Sequence, residues 1–281
     1  LDRVVGEAPI VSLYATRVTL DVTEIMLAEA LLRRSSASRK DDSRLLVRST
    51  VERTLSGGHP KEFGEAFQIG PVSVRLFRAG HIPGAAMIHL ESPSHSLLYT
   101  GDFCDFDQFT VRGCSLPEDL EVDTLIAEAT YEERDDCATD SGSIERRRAE
   151  LLRIVAAALK SNGSVIVHAG VIGKAQEAAA LLARGCEEGF LTETPIWIDG
   201  TAKKIAECFV KCGVPLFEPS VHSSDTLSTG RPKQGILIVG EADLEQAKSR
   251  FGQETPIISA ASLPTHAGRL AVLEMVDRLR P

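Results

Sequence analysis

No apolar run in this chain of 281 residues approaches the length needed to span a bilayer, and no signal-peptide pattern is found, so no membrane location is expected. The six cysteines form no C-x-x-C pair. Scattered thiols of that kind fit reduced cysteines in a cytoplasmic protein (nuclear in a eukaryote) better than a disulfide framework. Positive charge is in short supply. Against 40 Asp and Glu there are 31 Lys and Arg, a net charge of −9 that disfavours tight non-specific nucleic-acid binding and leaves room only for a local basic groove. The chain has no internal repeat, no low-complexity tract and no initiator Met; it opens on Leu1, as a fragment or a processed product would. Its length and a mean hydropathy of −0.02 fit one large or two ordinary globular domains.

What the chain does hold is organised around Arg78 to Phe103, RAGHIPGAAMIHLESPSHSLLYTGDF. A histidine follows Ala79-Gly80, a Pro83-Gly84 turn comes next, and two β-type runs, Met87 to Glu91 and Ser96 to Thr100, are joined at Ser92 to His95. The second run ends at Gly101-Asp102. His81 and Asp102, 21 residues apart, leave two strand ends and can face each other across one sheet edge. Imidazole and carboxylate are ligand types suited to zinc, and a glycine before each allows close backbone approach.

Around this stretch, Ala8 to Thr16 reads as a buried strand and Leu20 to Arg34 as an amphipathic helix. Residues 33–53 carry Arg33, Arg34, Arg39, Lys40, Arg44, Arg48 and Arg53, either a solvated face or a nucleic-acid contact. Phe67 to Phe77 is a hairpin turning at Gly70-Pro71, and Leu125 to Thr130 is a further buried strand holding Glu128. After Tyr131 the pattern changes. A helix over 144–159, a strand over 164–169, a helix from Gly173 to Leu182, a strand over 195–199, a helix over 201–212 and a strand over 235–239 alternate as in a parallel α/β sheet. Pro256 to Ala261 is expected to return to the first domain as a strand, with a closing helix over Ala267 to Leu279.

AGHIPGAAMIHLE and LLYTGDF resemble the third and fourth metal motifs of metallo-β-lactamase-fold hydrolases, specifically the β-CASP nuclease branch of RNA-processing exonucleases and mRNA 3′-end-processing factors. AEATY resembles the element at which that branch starts its inserted domain. VIVHAGVIGKAQEAAALL resembles a segment with Arg where Lys174 stands here and Pro where His168 stands, so His168 reads as a core histidine. LPTHAGRLAVLEMVDRLRP resembles a motif reading SGHADR, with Pro264-Thr265 in place of Ser-Gly and Gly268 in place of Asp.

The resemblance implies an α/β fold: an incomplete metallo-β-lactamase αβ/βα sandwich over 1–128 and 256–281, with a parallel α/β β-CASP domain inserted at 129–255. It implies a zinc-dependent phosphodiesterase cutting RNA or single-stranded DNA in an interdomain cleft, in RNA processing or DNA repair. His81 and Asp102 would be metal ligands, with Asp102 bridging two ions. His266 would act on the substrate phosphate or the leaving oxygen, and Glu128 would support catalysis by accepting the second N–H of a histidine. Gly173, Lys174 and Arg269 would contact substrate, the first two at a helix start able to hold phosphate.

The family's first motif, H-x-H-x-D-H, is missing, since neither HxH nor DH occurs in the chain. The resemblance puts that motif before Leu1 and a last ligand histidine after Pro281. A complete family member is expected to hold two zinc ions. This chain is expected to bind zinc poorly, because zinc sites take three or four protein ligands. Two explanations stay open: part of a longer hydrolase, or a degenerate paralogue serving as a scaffold or nucleic-acid-binding subunit, as a homodimer or beside an active partner.

Overall fold

The computed structural model describes residues 12–34, 40–131, 141–216, 220–227 and 234–280. Strand β1 (Leu13–Ala15) pairs in parallel with β2 (Gly58–Pro60), and helices α1 (Arg17–Arg34) and α2 (Lys40–Leu55) lie between them. Thr16 starts α1, its Oγ1 accepting from the N–H of Thr19 at 3.2 Å as an N-cap does. The strand expected over Ala8 to Thr16 is thus confined, within the described residues, to three positions, and Tyr14 is exposed. The remainder of that expectation lies outside the described residues.

A five-stranded sheet follows, in the order β3 (Ala66–Ile69), β4 (Val72–Arg78), β5 (Ala86–Ser92), β6 (His95–Tyr99), β7 (Thr124–Ile126). Its pairings are antiparallel except β6 with β7, which is parallel. Side chains alternate across it as the pleat requires. Phe77, Met87 and Leu98 face one side; Phe67, Val74 and Leu76 face the other. β7 is a short edge strand with Ile126 exposed, and not the buried strand that its apolar run suggests.

The second sheet holds five parallel strands in the order β10-β9-β11-β8-β12. In chain order these are β8 (Ser164–His168), β9 (Ile196–Ile198), β10 (Val221–Ser223), β11 (Gly235–Val239) and β12 (Ile257–Ser259). Helices α3 (Ser141–Asn162), α4 (Lys174–Glu187), α5 (Gly200–Lys211) and α6 (Leu244–Phe251) alternate with them. SVIVH and GILIV are unbroken apolar runs because a parallel strand between two helical layers has no wet face. Val165, Ile166, Val167, Ile236, Leu237, Ile238 and Val239 are all fully buried. Asp199 caps α5, accepting from Gly200 N at 2.8 Å and held by Ser224 Oγ and Arg250 Nη1, each at 2.6 Å.

One expectation is corrected here. Pro256 to Ala261 does not return to the first sheet. β12 pairs in parallel with β8, and Ala260 N donates to His168 O at 2.8 Å. The physical reason is the backbone of β8, an interior strand whose N–H and C=O groups are paired by β11 on one edge and by β12 on the other. The crossing comes later. Leu263 is buried in the parallel-sheet core, whereas Ala267 and the helix α7 (Arg269–Leu279) pack through Ala271, Met275 and Leu279 against Phe77, Met87 and Leu98. His266 sits on the four-residue step between the two cores.

Candidate metal centre

The His81 loop leaves β4 and closes on itself. Ala79 N donates to Ala85 O, and Ala85 N to Ile82 O, both at 3.0 Å. Gly80 has φ +76°, and a Cβ there would lie 2.5 Å from both Cys104 O and Cys114 N, so only glycine fits. Gln108 reaches back across the loop, its Nε2 donating to Gly80 O at 2.7 Å and His81 O at 2.9 Å. Asp102 follows Gly101, whose φ is +53°, at the end of β6. The next N–H, of Phe103, donates to Glu128 Oε1 at 2.6 Å. Phe103 O in turn accepts from Ala267 N at 2.6 Å, which ties the step carrying His266 to the same loop.

These constraints bring His81, Asp102 and His266 together, with one donor atom of each within 4.8 Å of the others. His81 Nε2 and Asp102 Oδ2 are 3.8 Å apart, and the two imidazole rings are 4.3 Å apart between centroids. The tautomers follow from the partners. His81 Nδ1 lies 2.7 Å from Thr265 O, a carbonyl that can only accept, so Nδ1 carries the hydrogen and Nε2 presents a lone pair. His266 Nδ1 lies 3.0 Å from Glu128 Oε2 and donates to that carboxylate in the same way. Both rings are therefore oriented by their second nitrogen, the arrangement that fixes metal-ligating histidines. Tyr131 meets the His266 ring edge-on at 5.1 Å.

The electrostatics favour neutral His81. Burial is the largest influence and pulls the ring below the ordinary histidine value; the Thr265 carbonyl opposes it, and His266 adds repulsion. Glu128 resolves the other way. Burial pushes its carboxyl up, but the hydrogen bonds from His266, Thr130 and Phe103 N–H together outweigh burial and leave it below the usual glutamate value. An anionic Glu128, buried against His266, and a neutral His81 with a free Nε2 fit a cation between them.

No family model matches the chain. It is 27% identical over 190 residues to a transcription termination factor, FttA, of Methanothermobacter thermautotrophicus, over 66% of this chain and 29% of that protein. It is 28% identical over 186 residues to a ribonuclease of Thermus thermophilus, over 66% of this chain and 39% of that protein. It is also 32% identical over 133 residues to an RNase J-like protein of Methanocaldococcus jannaschii, over 46% of this chain and 30% of that protein. The chain is a homologue of the β-CASP nucleases. It spans between about three- and four-tenths of the length of these β-CASP relatives. A crystal structure of a protein of unknown function from Enterococcus faecalis shares the fold, with a TM-score of 0.55 and 13% identity over 97% of this chain and 69% of that one.

Two site expectations drawn from the β-CASP resemblance meet a different geometry. The start of α4 offers phosphate no free N–H at its first three positions. Gly173 N donates to Gln176 Oε1 at 2.8 Å, Lys174 N to Ile172 O and Ala175 N to Gly170 O. The side chain of Gln176 has taken the place that a bound anion would occupy. Lys174 Nζ donates to Ala261 O at 2.8 Å, bracing the segment after β12. Gly173 instead has a packing duty: its φ is +81°, and a Cβ would lie 2.5 Å from Ile82 Cγ2, one residue past His81. Arg269 is exposed at the first turn of α7. The cleft lined by Phe109, Arg148, Leu152 and Arg184, about 510 Å³, contains none of His81, Asp102 and His266. Gln108, and Thr265 through its carbonyl, support the centre without any sequence signal, since a lone loop glutamine and a backbone oxygen carry none.

Proposed function

We propose that this chain belongs to the catalytic unit of a metal-dependent RNA phosphodiesterase. The convergence of His81, Asp102 and His266, with Glu128 on the far nitrogen of His266, carries the reading. Homology to RNA-processing nucleases supplies the substrate class. The proposed architecture is a metallo-β-lactamase αβ/βα sandwich holding the antiparallel sheet and α7. A β-CASP unit is inserted from about residue 129 and closes after Ala260.

His81 Nε2 and Asp102 would hold zinc, and a zinc ion there supplies Lewis-acid polarisation of the phosphate. Hydrolysis adds water across a P–O bond, so the attacking water gives a proton to solvent and the leaving oxygen gains one from His266. His266 is the proton carrier. The ring gives its Nε2 hydrogen to the leaving oxygen while Nδ1 keeps its own, donated to Glu128, whose charge stabilises the ring. A ring nitrogen bound to metal carries no proton, so His266 Nε2 cannot serve as ligand and acid at once. Glu128, anionic and buried 3.0 Å away, favours the acid role.

Zinc content and cleavage of a labelled RNA separate these roles. Asp102→Asn keeps the side-chain shape but loses charge and one metal-binding oxygen, so zinc and cleavage should fall together with folding unchanged. His266→Ala should keep the zinc and lose turnover. Cleavage by Asp102→Asn at the wild-type rate would remove the ligand assignment, whereas no cleavage by the unaltered protein supplied with zinc would favour a non-catalytic scaffold, a reading also consistent with Pro264-Thr265 and Gly268 replacing the family residues.

A further inference from the structure

A second group of donors lies away from the centre just described. Cys208 is on the last full turn of α5, Cys212 caps that helix one turn later, and Asp21 faces them from α1. One donor atom of each lies within 4.8 Å of the other two. Spacing explains the first pair, because residues four apart on a helix share a face. The third member comes from the way the helices run. Along α1, Asp21, Glu29 and Arg33 meet Cys208 and Cys212, then Lys204, then Thr201 on α5. The partners descend on α5 as they ascend on α1, so the helices are antiparallel, and the ion pair and hydrogen bond further along hold Asp21 in register.

We propose that Asp21, Cys208 and Cys212 form a site for a thiophilic divalent cation such as zinc, linking α1 to the last turn of α5. Two sulfurs and a carboxylate oxygen are a borderline-soft donor set that selects zinc or cadmium over magnesium or calcium. Sulfurs bound tetrahedrally at about 2.3 Å lie ~3.8 Å apart. Donors already within 4.8 Å need only side-chain adjustment to reach that spacing. Cys208 sits at the edge of the parallel-sheet core, 7% exposed, while Cys212 is exposed and Asp21 is half-exposed. The site is thus anchored inside, open to an entering ion outside, and leaves the fourth position to water. The chemistry differs from that of the His81 centre, which contains no sulfur, and this difference makes the site separately visible.

Cobalt(II) is the probe, added to the reduced protein and read by absorbance. Thiolate ligation gives a sulfur-to-cobalt charge-transfer band that histidine and carboxylate ligands do not give. The band should appear and saturate at one equivalent, vanish in Cys212→Ser, and require more cobalt in Asp21→Asn. It should persist in His81→Ala, which disables the other centre. Zinc should bleach it and shield Cys212 from alkylation. Cys212 is exposed, so its replacement leaves the fold intact, which circular dichroism checks. Absence of the band at excess cobalt, or its survival in Cys212→Ser, overturns the proposal. An unchanged titration in Asp21→Asn removes the carboxylate, and with it the link to α1.

Discussion

Two buried glutamates hold the two ends of one loop, and they differ in what they face. Glu128 takes the N–H of Phe103 at the start of the loop after β6. Glu177, on α4, takes the N–H groups of Phe109 and Thr110 at 3.0 and 3.1 Å, with the Thr110 hydroxyl at 3.2 Å. Their side chains are 6% and 4% exposed. Glu128 also holds Thr130 and a histidine ring at the candidate centre, whereas Glu177 faces the Arg148 guanidinium at 3.5 Å. For Glu177 burial prevails and pushes the carboxyl up, against its hydrogen bonds and Arg148; for Glu128 the hydrogen bonds prevail and hold it down. Similar side-chain exposure therefore does not mean similar surroundings. One carboxylate orients a histidine ring, and the other fastens a loop to a helix.

The largest separation between them should be in turnover. Glu128→Gln keeps one acceptor oxygen but loses the charge that supports a protonated His266. RNA cleavage by the protein should fall by about 10²–10⁴-fold, the usual worth of a positioned proton-transfer group, with little change in melting temperature. Glu177→Gln should keep its cleavage rate at temperatures where it is folded. Equal losses in the two variants would erase the distinction.

Next in size is stability. Glu177→Ala strands three donors and the Arg148 charge, a loss of about 3 kcal/mol readable by denaturant unfolding. Glu128→Ala should cost less, because His266 can turn its N–H to water once the carboxylate is gone. A smaller cost, about 1–2 kcal/mol, is expected for Gly173→Ala, where a positive φ and the Ile82 methyl both resist a Cβ. Pairing it with Ile82→Ala should recover the steric part and leave the backbone part.

The smallest effect is in pH dependence, and its sign differs between the two glutamates. Glu128, held below its unfolded value, adds stability that is present above the ordinary glutamate range and lost as pH falls through its folded value. Glu177, held above its unfolded value, adds stability in acid that is lost as pH rises from the ordinary glutamate range through its folded value. Unfolding midpoints should therefore show Glu177→Gln gaining on the wild-type protein as pH rises above the ordinary glutamate range, and Glu128→Gln falling behind it as pH rises towards that range from below.

These contrasts also mark what the sequence discloses. Strands β8 and β11 were legible because burial on both faces writes an unbroken apolar run. The β3–β4 hairpin and the β5–β6 pair were legible from alternation and turns. The short strand β10, reading VHS, and the eight-residue helix α6 left no periodic signal long enough to detect. The destination of β12 was hidden because IIS suits any sheet, and only the unpaired side of β8 decides it. At the centre, His81, Asp102, Glu128 and His266 were each visible as residues, and their meeting was implied only by resemblance. Gln176's occupation of the α4 start was invisible, since a glutamine at the third residue of a helix looks like any other helical glutamine.

Topology gives the His81–His266 contact one further property. The Thr265 carbonyl that orients His81 is 184 residues away along the chain, and the carboxylate that orients His266 is 138 residues from it. Between these ends lies every strand of the parallel sheet. The donor triangle therefore cannot exist in a chain whose parallel sheet is unfolded, because the step from Leu263 to Ala267 would have no fixed origin. Closing that long loop costs entropy, and an ion that binds only the closed arrangement stabilises both sheets at once. Metal affinity then becomes a thermometer for the parallel half. A core mutation such as Ile238→Ala, remote from any ligand, should weaken metal binding in proportion to the population it unfolds.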